Sequence, residues 1–193
     1  RGSGIFLGSS NNNLLKNCTI ENSLSDGILL ENSDNNTLDN NTSKNNDGSG
    51  IRFYYSGNNL LKNCTISNSG SDGIQLKNSD NTLIKNCVAK NNYGAGIAIY
   101  ENSSNNLIEN NLAENNPTGI DLYYSDNNIV SHNTCSNNYY QGIRLYFSSN
   151  NTLTNNNCEN NNSKGIELEN ADNNIISNNL VENNNEYGIF LLD

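Results

Sequence analysis

Asp121, Arg144 and Glu167 recur at intervals of 23 residues. A pair of carboxylates flanking a sugar linkage is what glycoside hydrolysis uses, and an arginine between them would hold an anionic or hydroxylated group. If the three lie on adjacent strands, two strand spacings separate the carboxylates by about 9.6 Å, close to the separation of an inverting pair. Opposite charges alternating along a ladder also stabilise a sheet with no chemistry at all, and the residues favour that simpler reading. A second series, Tyr54, Tyr100, Tyr123 and Tyr146, follows the same interval with Lys77 in its one gap, and Tyr55 and Tyr124 directly follow two of its members. Tyrosine rings on a flat surface, beside Arg52, Asp121 and Arg144, suit stacking on sugar faces and hydrogen bonding to hydroxyls. A protein contact would use the same residues, and tyrosine is also a good exposed strand residue with no partner.

The interval belongs to the whole chain. Gly-Ile occurs at Gly4, Gly27, Gly50, Gly73, Gly96, Gly119, Gly142, Gly165 and Gly188, always 23 residues apart. A fixed period of this size marks stacked units, none of which can bury its apolar face alone. With each Gly as position 1, apolar residues stand at positions 2 and 4, the alternation of a strand. Further apolar columns fall at position 12 and near positions 15 to 17, the last holding Cys18, Ile20, Cys64, Ile66, Cys87, Ala89, Cys135, Cys158 and Val181. Three short strands per coil leave no room for a helix of ordinary length. The pattern predicts an all-β, right-handed, single-stranded parallel β-helix of about eight coils. Positions 3 and 5 of the first strand then face outward, which places the charged series and the tyrosine series side by side.

Asparagine recurs at positions 9, 14 and 19, with His132 the one histidine at position 14. Those are the bends, where Asn tolerates left-handed backbone, bonds nearby backbone and can stack into amide ladders. Position 8 is acidic in alternate coils at Asp34, Asp80, Asp126 and Asp172, a spacing that relieves like-charge repulsion. The five cysteines include two stacked pairs, Cys64 with Cys87 and Cys135 with Cys158, read as free buried thiols because parallel in-register neighbours do not present the preferred disulfide torsion. A lone histidine and no methionine make a poor copper or zinc site, so no metal and no cofactor are expected. The net charge of −10 disfavours nucleic acid, and no apolar run is long enough to span a membrane.

Units such as Gly73-Ile74-Gln75-Leu76 followed by Asn81-Thr82-Leu83-Ile84-Lys85-Asn86-Cys87 resemble the NosD-like repeats of the carbohydrate-binding and sugar-hydrolase β-helix family. The likeness covers residues 1–193 as a single domain, and its Asn-rich style is similar to that of archaeal surface proteins. The resemblance implies an extracellular, cell-surface or periplasmic module that binds polysaccharide, with the reading leaning against catalysis. The alternatives are a polysaccharide lyase or glycoside hydrolase, disaggregatase-like in kind, and a self-assembling sheath subunit. The paired-Asp and Gly-His-Gly type signatures of polygalacturonases are missing, which weakens the enzyme alternative. The glycan contacts expected are Arg52, Tyr54, Tyr55, Tyr100, Asp121, Tyr123, Tyr124, Arg144 and Tyr146, with Asp121, Arg144 and Glu167 the catalytic candidates. Strands at both ends without a capping element suggest a piece of a longer chain, or copies stacked end to end.

Overall fold

The computed structural model describes residues 2–193. Its 25 short strands form three parallel sheets of nine, eight and eight, and the chain winds through the sheets in turn as a right-handed solenoid. One coil shows the plan: Ile74–Lys77 lies in the first sheet, Leu83–Lys85 in the second and Val88–Lys90 in the third. Coils stack in register, Ile74 against Ile97 and Leu76 against Ile99. The fifth coil carries an extra residue before Leu107, so Lys85 pairs with Glu109, and loses one before Gly119, so Glu114 pairs with Ser136. Both changes fall in turns, where the strand register is not disturbed.

Positions 2, 4 and 12 fill the interior: Ile97, Ile99, Leu122 and Ile108 are fully buried. The column expected near positions 15 to 17 is two columns. Ile66, Ala89, Ala113, Cys135 and Cys158 point into the core at position 17, with Cys135 in register with Cys158. Cys64 and Cys87, at position 15, stand where other coils place an amide, and Asn41 N–H donates to Cys64 Sγ at 3.4 Å while that thiol donates to the Lys62 carbonyl at 3.2 Å. All five cysteines are free; the hydrogen bond with Cys64, followed by burial, pushes the Cys87 thiol well up.

The constancy of Gly at position 1 has a steric cause. A Cβ on Gly96 would lie 2.7 Å from Asn116 Nδ2 and 2.8 Å from the Gly119 carbonyl, and no glycine of the described residues has a positive φ. The left-handed residues are the asparagines of the bends, as in Asn35, Asn40 and Asn45 at φ of 58°, 55° and 56°. Some of them also bond along the axis, as Asn40 Nδ2 to Asn17 Oδ1 at 2.8 Å and Asn68 Nδ2 to Asn45 Oδ1 at 3.0 Å, but they are exposed, and the fuller ladder is formed by the residue after the bend, which turns inward. Asn116 N–H donates to Asn138 Oδ1 at 3.0 Å, and Asn116 Nδ2 reaches the Ala89 carbonyl at 3.0 Å. The same arrangement runs through Asn36 and Asn59, and through Asn111 and Asn133. A buried amide thus satisfies backbone that the sheets leave unpaired at each corner.

The alternating aspartates have a further role beyond charge spacing. Asp34, Asp80 and Asp126 each accept the backbone N–H of the next coil, from Gly57, Ser104 and Ser149 at 2.7 Å. No helix occurs among the described residues, so none is long and apolar enough to cross a membrane.

Candidate functional site

Outward side chains of the first sheet build a trough along the axis. Its floor is the position 3 column: Arg52, Gln75, Ala98, Asp121, Arg144 and Glu167 are successive neighbours in register. One wall is the position 5 column of Tyr54, Lys77, Tyr100, Tyr123 and Tyr146. The other is the turn that precedes each Gly, carrying Asp72, Gln141 and Lys164. The structure brings Asp121, Arg144 and Glu167 together as expected, but the floor is far less accessible than an outward column suggests: Asp121 is 4% exposed and Glu167 5%. Walls cover it from both sides, because Lys164 Nζ and Gln141 Nε2 reach Glu167 while Tyr100 reaches Asp121.

Every charge on the Asp121 to Glu167 half of this floor is neutralised locally. Arg144 grips Asp121 through two bonds, Nε to Oδ1 at 2.8 Å and an Nη to Oδ2 at 2.7 Å, a fork geometry that also holds the arginine pKa up. Tyr100 Oη donates to the same carboxylate at 3.3 Å, and burial together with the charges of Asp72 and Asp121 keeps its phenol neutral well above the usual range. Lys164 pairs with Glu167 at 2.6 Å. At the other end Arg52 lies over the Tyr54 ring at 5.3 Å, and Gln75 Nε2 donates to Asp72 at 2.7 Å. Asp72 and Gln75 were not foreseen as part of the site, since only their neighbour in the adjacent turn or strand reveals the contact.

The rings fall into two groups rather than one continuous edge. Tyr54 and Tyr55 meet edge to face at 4.5 Å. The Lys77 to Glu101 ion pair, at 2.7 Å, separates them from the larger group. There, Tyr123 stacks on Tyr146 at 5.5 Å, Tyr124 stacks on Phe147 at 4.9 Å, and the two pairs meet edge to face. Tyr100 closes the array against Tyr123 at 6.2 Å. Tyr55, Tyr124 and Phe147 have φ of 48°, 49° and 47°, the left-handed conformation that Asn32, Asn78 and Asn170 adopt in the same column. Bulky residues take that backbone at a cost of roughly 1–2 kcal/mol each, whereas asparagine does so readily. Phe147 joins the site from this observation.

The fold and this trough place the chain among known proteins. Residues 1–126 match the family model of the right handed beta helix region, and the chain belongs to that family. Residues 96–193 match a second model, described as Periplasmic copper-binding protein (NosD). No curated protein sequence matches. Among solved structures, the chain is similar to a variant of the periplasmic alginate epimerase AlgG, with a TM-score of 0.81 and 21% identity over 97% of this chain and 49% of that one. An alginate lyase from Paenibacillus sp. str. FPU-7 gives 0.69 and 16% identity over 97% of this chain and 78% of that one. The catalytic domain of a GH87 alpha-1,3-glucanase gives 0.75 and 19% identity over 94% and 41%. The chain spans about half the length of the epimerase, and identities at this level establish the shared fold.

The donors of this chain do not fit the copper in the second model's description. His132 is exposed at a left-handed bend, and Cys87, the thiol lining the same shallow groove, is buried two coils away, about 9.6 Å along the axis. No group of three or more His, Cys, Asp or Glu suited to a metal occurs among the described residues.

Proposed function

We propose that this chain is a polysaccharide-binding module of an extracellular, cell-surface or periplasmic protein, and that glycan lies along the first-sheet trough. The observation that carries the reading is the set of aromatic rings at strained bends. Asparagine takes this bend without strain in other coils, whereas Tyr55, Tyr124 and Phe147 take it at a cost and keep exposed ring faces that a ligand can cover. Tyr123, Tyr124, Tyr146 and Phe147 form the main platform, with Arg52, Tyr54 and Tyr55 a second contact point along the same chain of sugars, and Tyr100, Asp121 and Arg144 the polar floor between them. Relatives of the same fold that act on alginate and alpha-1,3-glucan support a polysaccharide partner and an exported location.

Binding is favoured over cleavage because Asp121 and Glu167 are buried and each is tied to a cation and to a further donor, which leaves neither with an open oxygen to reach a sugar linkage. Retention in polysaccharide-containing native gels tests the proposal: replacing Tyr123 and Tyr146 with Ala should abolish retardation while the solenoid stays folded, at a loss of about 2–6 kcal/mol for the four ring contacts removed. Retardation that survives both changes would sink it, and release of reducing or unsaturated ends would move the assignment to an enzyme.

A further inference from the structure

The chain's single proline stands at an irregularity of the coil. Five residues, 115–119, join the strand ending at Glu114 to Ile120, whereas six join Lys90 to Ile97 and Ser136 to Ile143. The shorter turn leaves a notch on the corner between the third and first sheets, away from the trough. Pro117 forms its floor, Tyr93 stands in the coil before and Tyr139 in the coil after, 81% and 63% exposed. The two rings are about 9.6 Å apart along the axis, two coil spacings. Tyr140 meets Tyr139 edge to face at 4.8 Å and holds it upright.

The hydrogen bonds mark the same place. In this column each coil donates a backbone N–H to the coil before it, Tyr93 to Ser69 at 3.0 Å, Tyr139 to Asn116 at 2.8 Å and Asn162 to Asn138 at 2.9 Å. Pro117 has no N–H to give, so the Asn92 carbonyl, whose residue lines the notch, receives no hydrogen bond from any described residue. Around it lie the exposed amides of Asn115 and Asn137. The groove has a volume of about 580 Å³ and no charged side chain in its lining.

We infer that the Tyr93, Pro117 and Tyr139 groove is a second binding site, and that its ligand is a short stretch of neutral polysaccharide. Two rings separated by a flat proline offer apolar faces to successive sugar rings, while amides that both donate and accept suit hydroxyls. A charged sugar would find no counter-ion in the lining, and a peptide would bring backbone groups that the single free carbonyl cannot match. This site is independent of the trough, and it would let one module hold two chains or two segments of one chain, raising retention through effective concentration.

Saturation-transfer difference NMR with cellohexaose, mannohexaose and maltohexaose, and with an alginate oligosaccharide as the acidic comparison, tests the inference. At least one neutral probe should bind, and Tyr93→Ala with Tyr139→Ala should weaken it at least about tenfold, the loss expected for two stacked rings. Pro117→Asn, which supplies the missing N–H and removes the flat floor, should weaken the same probe without loss of fold. Tyr123→Ala with Tyr146→Ala serves as the control, because the trough reading fails or survives on that pair alone. Loss confined to the trough pair, binding of the alginate probe only, or binding by none of the probes would each overturn the second site.

Discussion

Replacing Tyr124 and Phe147 together with Asn separates what the rings do for the fold from what they do for a ligand. Both residues have the backbone that Asn170 adopts in the next coil, at φ 48°, so the corner need not move. Relief of two left-handed aromatic residues should return roughly 2–4 kcal/mol. Against it stand one stacked pair at 4.9 Å and two edge contacts at 4.6 Å, each about 0.5–1.5 kcal/mol, or roughly 1.5–4.5 kcal/mol together. The opposing sums overlap, and the expected change in folding stability is centred near zero and lies within about 2.5 kcal/mol in either direction. Polysaccharide retention in native gels should fall steeply, since half the platform is gone. Urea unfolding of parent, both single variants and the double variant gives the stability change and the coupling between the rings. A stability loss beyond about 3 kcal/mol would show that the rings are structural and that the strain is overestimated. Unchanged retention would refute the platform itself.

Two further outcomes test the frame and its electrostatics. Leu122→Ala, at a fully buried position of a central coil, should cost about 2–5 kcal/mol in urea unfolding, and a loss under about 0.5 kcal/mol would mean the interior is packed differently. Burial holds the Asp72 carboxyl above its ordinary 3.8 despite the bonds it accepts from Gln75 and Ala95. A raised folded-state pKa favours folding while the group is protonated, and that contribution is lost as pH rises from the unfolded value through the folded one. Asp72→Asn should therefore be more stable than the parent at neutral pH, with the difference closing below pH 3.8. Gln75, whose Oε1 has no partner, can turn to accept from the new amide. A difference that does not vary with pH would remove the titration argument.

The repeat and its three strands were legible because Gly, Ile and Leu recur at a fixed interval, and the inward columns followed from alternation. The division of labour within Asn doublets was not. Asn35 and Asn36 are chemically identical, and only stacking decides that the first bends the chain while the second bonds the coil beside it. Cys64 is the free buried thiol its column suggested, but the bonds it shares with the amides of that column could not be read from a thiol. In the trough, the neighbours of Asp121 and Arg144 could be read from register, but the cover over Glu167 comes from Gln141 and Lys164 in turns whose direction a period does not give. The Tyr93 and Tyr139 groove left a signal in the sequence, a one-residue shortening beside the lone proline, and only the coil geometry turns that into two rings facing across a notch.

Strained aromatic residues can persist at the position 6 corner because the stacked backbone around them fixes the bend. Ser125 N–H donates to Ser148 Oγ at 3.0 Å, and Ser125 Oγ returns a bond to the Tyr123 carbonyl at 3.2 Å, so the backbone on both sides of Tyr124 is held. Ser56 and Ser148 make the equivalent bonds beside Tyr55 and Phe147. The serines brace the corner, but Asn170 keeps the same φ of 48° with Ala171 after it, so the conformation is set by the stacked backbone, in which the corner N–H donates to the next coil, Tyr124 to Tyr146 at 3.1 Å and Asn170 to Leu192 at 2.9 Å. Asn, Glu, Tyr and Phe all occupy that position with φ between 47° and 50°. A sheet edge built in this way allows the exposed residue to change from coil to coil without altering the coil. That is the physical reason a near-perfect repeat can carry a local, non-repeating array of rings, and why the array lies at this corner rather than within a strand, where each side chain must also fit its neighbours in register.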